Sequence, residues 1–198
     1  MKVEAIVIHH TATVGKGDGS AEWQAICLAC QRRRGPSYIC DYHYGIGPSG
    51  NIFNGQPIDK ISYHCGDDYL NEHSIAVSFI GNFQENIMSA TQLNAGVNFL
   101  KGLINKYKGV KLLKHNDIVA TLCPGKNFPF KELMVKINSN NQSLFPDVAG
   151  DEWYAEAIKK VVELGLMKGD TEGTFRPNEP VTRAELAYVI LNLFEKVK

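Results

Sequence analysis

The sequence has no excess of charge of either sign. Lys and Arg together number 21, Asp and Glu number 21, and the formal net charge is zero. A balanced chain has no whole-molecule field to draw in a polyanion, so neither nucleic acid nor an anionic membrane is expected as a partner. The run Arg32-Arg33-Arg34 is too short to change this and reads as a solvated helix end. Long apolar runs are also missing: the stretches 5–8 and 75–80 fall far short of the ~20 residues that span a bilayer, so no membrane insertion is expected. The opening residues lack a basic segment followed by an apolar core and a small-residue cleavage site. The expectation is synthesis in the cytoplasm without a signal peptide. Cysteine is sparse and odd in number, at Cys27, Cys30, Cys40, Cys65 and Cys123. That disfavours a fully paired disulfide framework and fits a reducing compartment. Cys27-x-x-Cys30 has half of a zinc or redox spacing. It reads either as two buried helix thiols or as a pair completed by Cys40 or Cys65.

What is present is ordinary globular composition, with 44% apolar and 21% charged residues in 198. The polar break Ser139-Asn140-Asn141-Gln142-Ser143 carries turn formers and no periodicity, and reads as a linker over 139–143. It divides the chain into a domain over 1–138 and a module over 144–198. In the first part, β-branched residues at 3–9 predict a buried central strand. A helix follows over 22–33, with Trp23, Ile26, Cys27 and Cys30 on one face. Strands are predicted over 42–47, 51–54 and 75–80, the first two joined by the turn Pro48-Ser49-Gly50-Asn51. Apolar residues at helical spacing predict a helix over 91–107. A short strand over 110–114 and a helix over 130–137 complete an α/β domain, a mixed central β-sheet flanked by helices.

After the linker the pattern becomes that of a small all-α helix-loop-helix module. A helix is predicted over 151–164, ended by Gly165, then a loop over 170–180. Thr182 with Glu185 three residues on forms a capping box, and Leu186, Val189, Ile190 and Leu193 make the next apolar stripe. Some 54 residues sit near the lower limit for a self-sufficient core, so self-association through a partner copy is expected.

One constellation carries chemistry. His9-His10 ends the first strand, His115 follows the strand over 110–114, and Cys123 stands eight residues later in Thr121-Leu122-Cys123-Pro124-Gly125. Two imidazoles and a thiolate from strand ends suit Zn²⁺ and leave a fourth position for water, the pattern of a catalytic rather than a structural site. Spacing alone does not choose between this reading and ordinary hydrogen-bonding histidines beside a buried thiol.

The ordered context goes further. Val7-Ile8-His9-His10-Thr11-Ala12-Thr13, Tyr42-His43-Tyr44-Gly45-Ile46, His64-Cys65-Gly66, Ser74-Ile75-Ala76-Val77 running to Gly81-Asn82-Phe83, then His115 and Thr121-x-Cys123-Pro124-Gly125, together resemble the type 2 N-acetylmuramoyl-L-alanine amidases of the phage-lysozyme and peptidoglycan-recognition-protein type, over roughly residues 3–137. The resemblance implies one Zn²⁺ per chain held by His9, His115 and Cys123. It implies hydrolysis of the amide between N-acetylmuramic acid and L-Ala in peptidoglycan. Tyr42 and Thr121 match positions with catalytic roles, Tyr42 at the oxyanion or in proton relay and Thr121 in orientation. His64 and His10 fall where substrate contacts are expected, and His43 or His64 is a candidate proton shuttle. Two departures stand out. Cys65 replaces a small residue beside His64, and Ser78 stands where many members carry Glu, so the sequence does not name the general base.

The module over 144–198 resembles an S-layer homology (SLH) module. Phe145-Pro146-Asp147-Val148, Trp153-Tyr154, Gly165-Leu166-Met167, Gly173-Thr174-Phe175 and Val181-Thr182-Arg183-Ala184-Glu185 carry the likeness. It implies binding to secondary cell-wall polysaccharide of Gram-positive bacteria, with Arg183 reading an anionic saccharide and Trp153 either stacking on sugar or lying in the core. Amidase plus wall anchor is the layout of a phage or prophage endolysin, released through a holin-type lesion. The rival expectations are a host autolysin and a wall-binding protein that does not cut.

Overall fold

The computed structural model describes residues 2–138, 144–148, 150 and 152–197. The linker expected over 139–143 therefore lies outside the described residues. The chain divides into two compact units, Met1–Asn138 and Ser139–Lys198.

The first unit is built on a five-stranded mixed sheet. Its elements run β1 (Ala5–His10), α1 (Ser20–Arg34), β2 (Tyr44–Ile46), β3 (Ile52–Asn54), α2 (Asp68–His73), β4 (Ser74–Phe79), α3 (Ala90–Lys106), β5 (Lys111–Lys114), a 3₁₀ turn (His115–Asp117) and α4 (Phe130–Asn138). The strand order is β3-β2-β4-β1-β5. β1 pairs in parallel with both β4 and β5, β2 pairs in parallel with β4, and only the β2–β3 hairpin is antiparallel. Every residue of β1 and of β4 is buried, which is why both read as continuous apolar runs.

The two faces of the sheet differ in side-chain size. Successive strand residues point to opposite faces. Ile6, Ile8, Ile75, Val77 and Phe79 take one face and pack with Leu93, Val97, Leu100 and Leu103 of α3 and Leu133 of α4. The other face of β1 and β4 carries Ala5, Val7, His9, Ser74, Ala76 and Ser78, and a smaller cluster of Trp23, Cys30, Tyr38, Cys40 and Ile80 stands apart from the main core. Gly45 in β2 is part of this arrangement. A Cβ there would lie 2.5 Å from the Trp23 ring.

Helix ends follow their local chemistry. Ser89 caps α3 by accepting from Gln92 N–H, and Asp67 caps α2 by accepting from Leu70 N–H. α2, not expected from the sequence, has only six residues, too few to show a helical period. α1 ends at Gly35 with φ +99°. Its last turn is not merely solvated: Arg33 and Arg34 both reach the Asp41 carboxylate, at 2.6 and 2.8 Å, and the Arg34 guanidinium lies over the Tyr63 ring.

The strand expected over 42–47 is shorter, Tyr44–Ile46. The reason is His43. Its Nδ1 accepts the Ala76 N–H at 2.9 Å, where a regular ladder would place a backbone carbonyl. The ladder stops there and Tyr42 lies outside the strand.

In the second unit, α5 (Ala155–Glu163) and α6 (Arg183–Val197) flank a loop organised by two carboxylates. Asp170 accepts from the backbone of Glu172 and Thr174, and Asp147 from the backbone of Phe175 and Arg176. The expected capping box is present: Glu185 N–H donates to Thr182 Oγ1, and Thr182 N–H donates to the Glu185 carboxylate. The helix expected over 151–164 starts later, at Ala155. Ala155 N–H closes a tight turn onto Glu152 C=O, so the first helical bond is Ile158 N–H to Tyr154 C=O. Trp153 consequently stands before the helix and is 88% exposed, not in the core. The expected stripe of α6 is also exposed, with Leu186, Ile190 and Leu193 each nearly half accessible.

Gly45→Ala should lower the stability of the first unit by about 1–3 kcal/mol through overpacking against Trp23. The readout is a lower denaturant midpoint at unchanged slope. An unchanged midpoint would mean that Trp23 moves aside without cost.

Candidate active site

The site forms where two strand ends and a returning loop meet, not at the ends of three strands. β1 and β5 are parallel neighbours in register Ile8–Lys114. One step further along that register, His9 and His115 stand side by side, with ring centroids 4.5 Å apart. Parallel pairing thus cancels a separation of 106 residues in sequence. The third side chain arrives by a returning loop. Asn116 N–H donates to Cys123 C=O at 3.1 Å, which brings the chain back beside His115. Gly125, at φ +105°, lets that loop pass the backbone of Phe83 and Gln84, where any Cβ would collide.

The donor atoms of His9, His115 and Cys123 all lie within 4.8 Å of one another. His9 Nδ1 is 3.7 Å from Cys123 Sγ. In a tetrahedral zinc site with Zn–S near 2.3 Å and Zn–N near 2.0 Å, an S···N separation of about 3.5 Å is expected. The donor set therefore fits such a metal. Its electrostatics agree. Burial pushes His9 well below its ordinary range, helped by the neighbouring His64 and His115, and burial also lowers His115. Both rings are neutral at pH 7 and keep a lone pair. Burial pushes the Cys123 thiol up to about 11, opposed by the His10 N–H, which donates to Sγ at 3.3 Å. A bound dication would favour the thiolate at this position.

The other residues singled out in the sequence are placed as follows. The Tyr42 ring packs 5.2 Å from that of His9, and burial holds its hydroxyl protonated far above neutral pH. Thr121 Oγ1 accepts the Cys123 N–H at 3.3 Å. His64 lies behind His9: its Nδ1 faces His9 Nε2 and its Nε2 faces Ser74 Oγ, both at 3.0 Å. Burial lowers His64 to about 3. His10 points to the opposite face from His9, where its Nδ1 accepts the Phe83 N–H. His43 is buried in the β2–β4 ladder. Arg183 and Trp153 belong to the second unit. Both are exposed, and Arg183 makes no ion pair among the described residues.

Asn71 and the role of Ser74 carried no signal in the sequence. Asn71, 4% exposed, accepts the backbone N–H groups of His64 and Cys65 through Oδ1 and so fixes that turn. Ser74 holds the far side of His64. Ser78, already singled out in the sequence, is the register partner of His9 in β4, and its buried Oγ has no hydrogen-bond partner among the described residues. A single Ser or Asn has no spacing to detect. The five cysteines are all free; Cys30 accepts from Asp41 N–H and Arg33, and Cys65 donates to Asn71 Oδ1.

Residues 1–126 match the family model of N-acetylmuramoyl-L-alanine amidase. The chain belongs to this amidase family. Residues 144–187 match the S-layer homology domain. Among solved structures, the endolysin N-acetylmuramoyl-L-alanine amidase LysCS of Clostridium intestinale URNW superposes with a TM-score of 0.61 at 29% identity, covering 70% of this chain and 85% of that one. Peptidoglycan-recognition protein SC2 of Drosophila simulans is 28% identical over 132 residues, 61% of this chain and 67% of its own. Cell surface glycoprotein 1 of Acetivibrio thermocellus is 43% identical over 60 residues, 30% of this chain. That match spans only 3% of the glycoprotein's length. Among the described residues no helix is long and apolar enough to cross a membrane.

The amidase unit should be acid-sensitive through His43. Burial lowers this ring from an ordinary 6.5 to about 4. Between those values the unfolded chain binds a proton that the folded chain refuses, so stability is complete above pH 6.5 and is lost as pH falls toward 4. The loss from this one group is about 2–3 kcal/mol. Asn at position 43 can still accept the Ala76 N–H but does not titrate. Urea midpoints should therefore fall less steeply with pH in His43→Asn than in the wild type; equal slopes would assign the acid loss to other groups.

Proposed function

We propose that the first unit is a zinc-dependent hydrolase of the amide between N-acetylmuramic acid and the first L-Ala of the peptidoglycan stem peptide. The observation that carries this reading is the convergence of His9 Nδ1, His115 and Cys123 Sγ at the spacing of a three-ligand metal site, in a chain of the amidase family. One Zn²⁺ per chain would be held by these residues and would supply an activated water and a polarised carbonyl. The protein's own groups do the rest. Tyr42, protonated at neutral pH and packed on His9, donates to the oxygen that gains charge as the carbonyl is attacked. Thr121, whose oxygen is taken by Cys123 N–H, turns its hydroxyl proton outward to orient the substrate. The low-dielectric wall formed by the sheet strengthens both contacts.

The second unit is proposed to hold the enzyme on secondary cell-wall polysaccharide. Arg183 offers bidentate pairing to a saccharide carboxylate and the exposed Trp153 a stacking surface. The uncovered apolar residues of α6 support self-association through this unit. Amidase and anchor in one chain, with an endolysin as structural neighbour, support release onto the cell wall as a phage or prophage lysin.

Two measurements test these readings. The purified protein should contain one zinc per chain and release L-Ala amino termini from Gram-positive walls. Cys123→Ser should lose zinc and at least about 10²-fold in rate, since the metal supplies several kcal/mol of the barrier reduction. A zinc-free protein that binds walls and releases no amino termini would replace the enzyme with a recognition protein. Arg183→Ala and Trp153→Ala should each weaken wall retention about tenfold with rate on soluble muropeptide unchanged, as expected for a lost charged pair or stacking contact. Undiminished retention in both would remove these residues from the wall contact.

A further inference from the structure

We propose that His64 and Ser74 form a buried hydrogen-bond relay that fixes the tautomer of His9, so that its Nδ1 is the bare, metal-facing nitrogen. The inference rests on the zinc reading above for its purpose, though not for its geometry.

The direction of the relay follows from its far end. Ser74 Oγ lies 2.6 Å from Leu70 C=O in α2. A carbonyl oxygen only accepts, so the single Ser74 hydroxyl proton is spent there. Ser74 Oγ also lies 3.0 Å from His64 Nε2. With its proton already committed, Ser74 can only accept at this contact, so His64 carries its proton on Nε2. The neutral His64 ring then presents a lone pair at Nδ1. That atom is 3.0 Å from His9 Nε2, which must therefore be the donor. A neutral His9 protonated at Nε2 has no proton at Nδ1, and Nδ1 is the atom that faces Cys123 Sγ at 3.7 Å. Each link is set by the one before it.

The relay is also held in place. Ser74 is fully buried as the first residue of β4, and His64 is 8% exposed. The His64 backbone is tied to Asn71 Oδ1 at 2.9 Å, and Asn71 belongs to α2, the helix that supplies Leu70. Helix α2 thus provides both the terminal acceptor and the clamp on the ring. This explains why a six-residue helix with little apolar surface sits immediately before β4. His64 is then a positioning residue, acting through His9, and both its ring nitrogens are occupied. The orientation of a ligand imidazole by a partner on its other nitrogen is a general device of metal sites. Here the partner is a second imidazole rather than a carboxylate, so it orients His9 without adding negative charge.

The first test needs no metal and no activity. In zinc-free, ¹⁵N-labelled protein, long-range ¹H–¹⁵N correlations report which nitrogen of each ring is protonated. The expected result is His9 and His64 both protonated at Nε2 with bare Nδ1 atoms. His9 found as the Nδ1–H tautomer would overturn the proposal even if the protein binds zinc. A protein that binds no zinc but shows these tautomers would sink the metal reading and leave the relay standing. The second test is zinc affinity by chelator competition. His64→Leu and Ser74→Ala should weaken zinc about 10–100-fold, the usual cost of losing a partner behind a ligand, whereas His64→Asn, whose amide oxygen falls near the Nδ1 position, should stay within about threefold of wild type. Wild-type affinity in both His64→Leu and Ser74→Ala would also overturn it. Should either variant fail to fold, the tautomers of the wild-type protein decide the question.

Discussion

The parallel pairing of β1 with its two neighbours is the constraint on which the rest of the molecule depends. Side-chain direction in a strand has a period of two, so a one-residue slip sends every side chain to the other face. In the observed register His9 and His115 share a face and His10 turns away. In a slipped register His10 would replace His9, and the side chain that now accepts the Phe83 N–H would be offered to Cys123. Nothing local to His9-His10 enforces the choice. It is enforced by Ile6 and Ile8, whose burial against α3 and α4 would be lost together on slipping. Burying each such aliphatic side chain stabilises by about 1.5–3 kcal/mol. The hydrophobic core on one face of the sheet therefore sets the identity of the polar residue on the other.

The same asymmetry makes room for the site. Large aliphatic side chains on the α3 face fill the space between sheet and helices. The opposite face of β4 carries Ser74, Ala76 and Ser78, too small to reach the next layer alone. The space above them is taken by rings: His9, His43, His64 and Tyr42, with Trp23 seated over Gly45. Such a layer is polar yet buried, so each ring nitrogen must find a partner or bear a cost of about 1–3 kcal/mol. His43 meets this at Nδ1, which stands in for a ladder carbonyl, while its buried Nε2 finds no partner among the described residues; His64 meets it at both nitrogens by bridging His9 and Ser74. Satisfying the buried histidines and ordering the candidate ligands are, for His64, one arrangement.

This division also explains how much could be read from the sequence. The aliphatic side was legible because burial leaves a pattern: the runs at 3–9 and 75–80 and the helical spacing over 91–107 each fall on the observed elements to within a residue or two. The trio His9, His115 and Cys123 was legible only through the resemblance, since 106 residues part the histidines and no short-range spacing records a parallel pairing. The residues behind the trio were not legible. Ser74, Asn71 and helix α2 act through one hydroxyl, one amide and one carbonyl, and such contacts leave no period in the chain. Trp153 was left open between core and sugar surface for a related reason: its spacing suited a helix, whereas the chain closes a tight turn ahead of Ala155.

The chemistry of the trio has a consequence in its charge. No Asp or Glu joins the cluster of His9, His115 and Cys123 among the described residues, and the position that in many amidases of this type bears Glu is here the uncharged Ser78. With two neutral imidazoles and a single thiolate as donors, only one unit of a bound dication's charge would be compensated by the protein. The remaining charge would act on any nearby oxygen that gains negative charge. A carboxylate at position 78 would serve as a base but would also screen that charge, and it would lie next to His9, where it would compete with His64 for the Nε2 proton. The neutral Ser78 avoids both effects. In the proposed reaction Tyr42, protonated and uncharged, would donate to the developing oxyanion without cancelling the field of a bound metal.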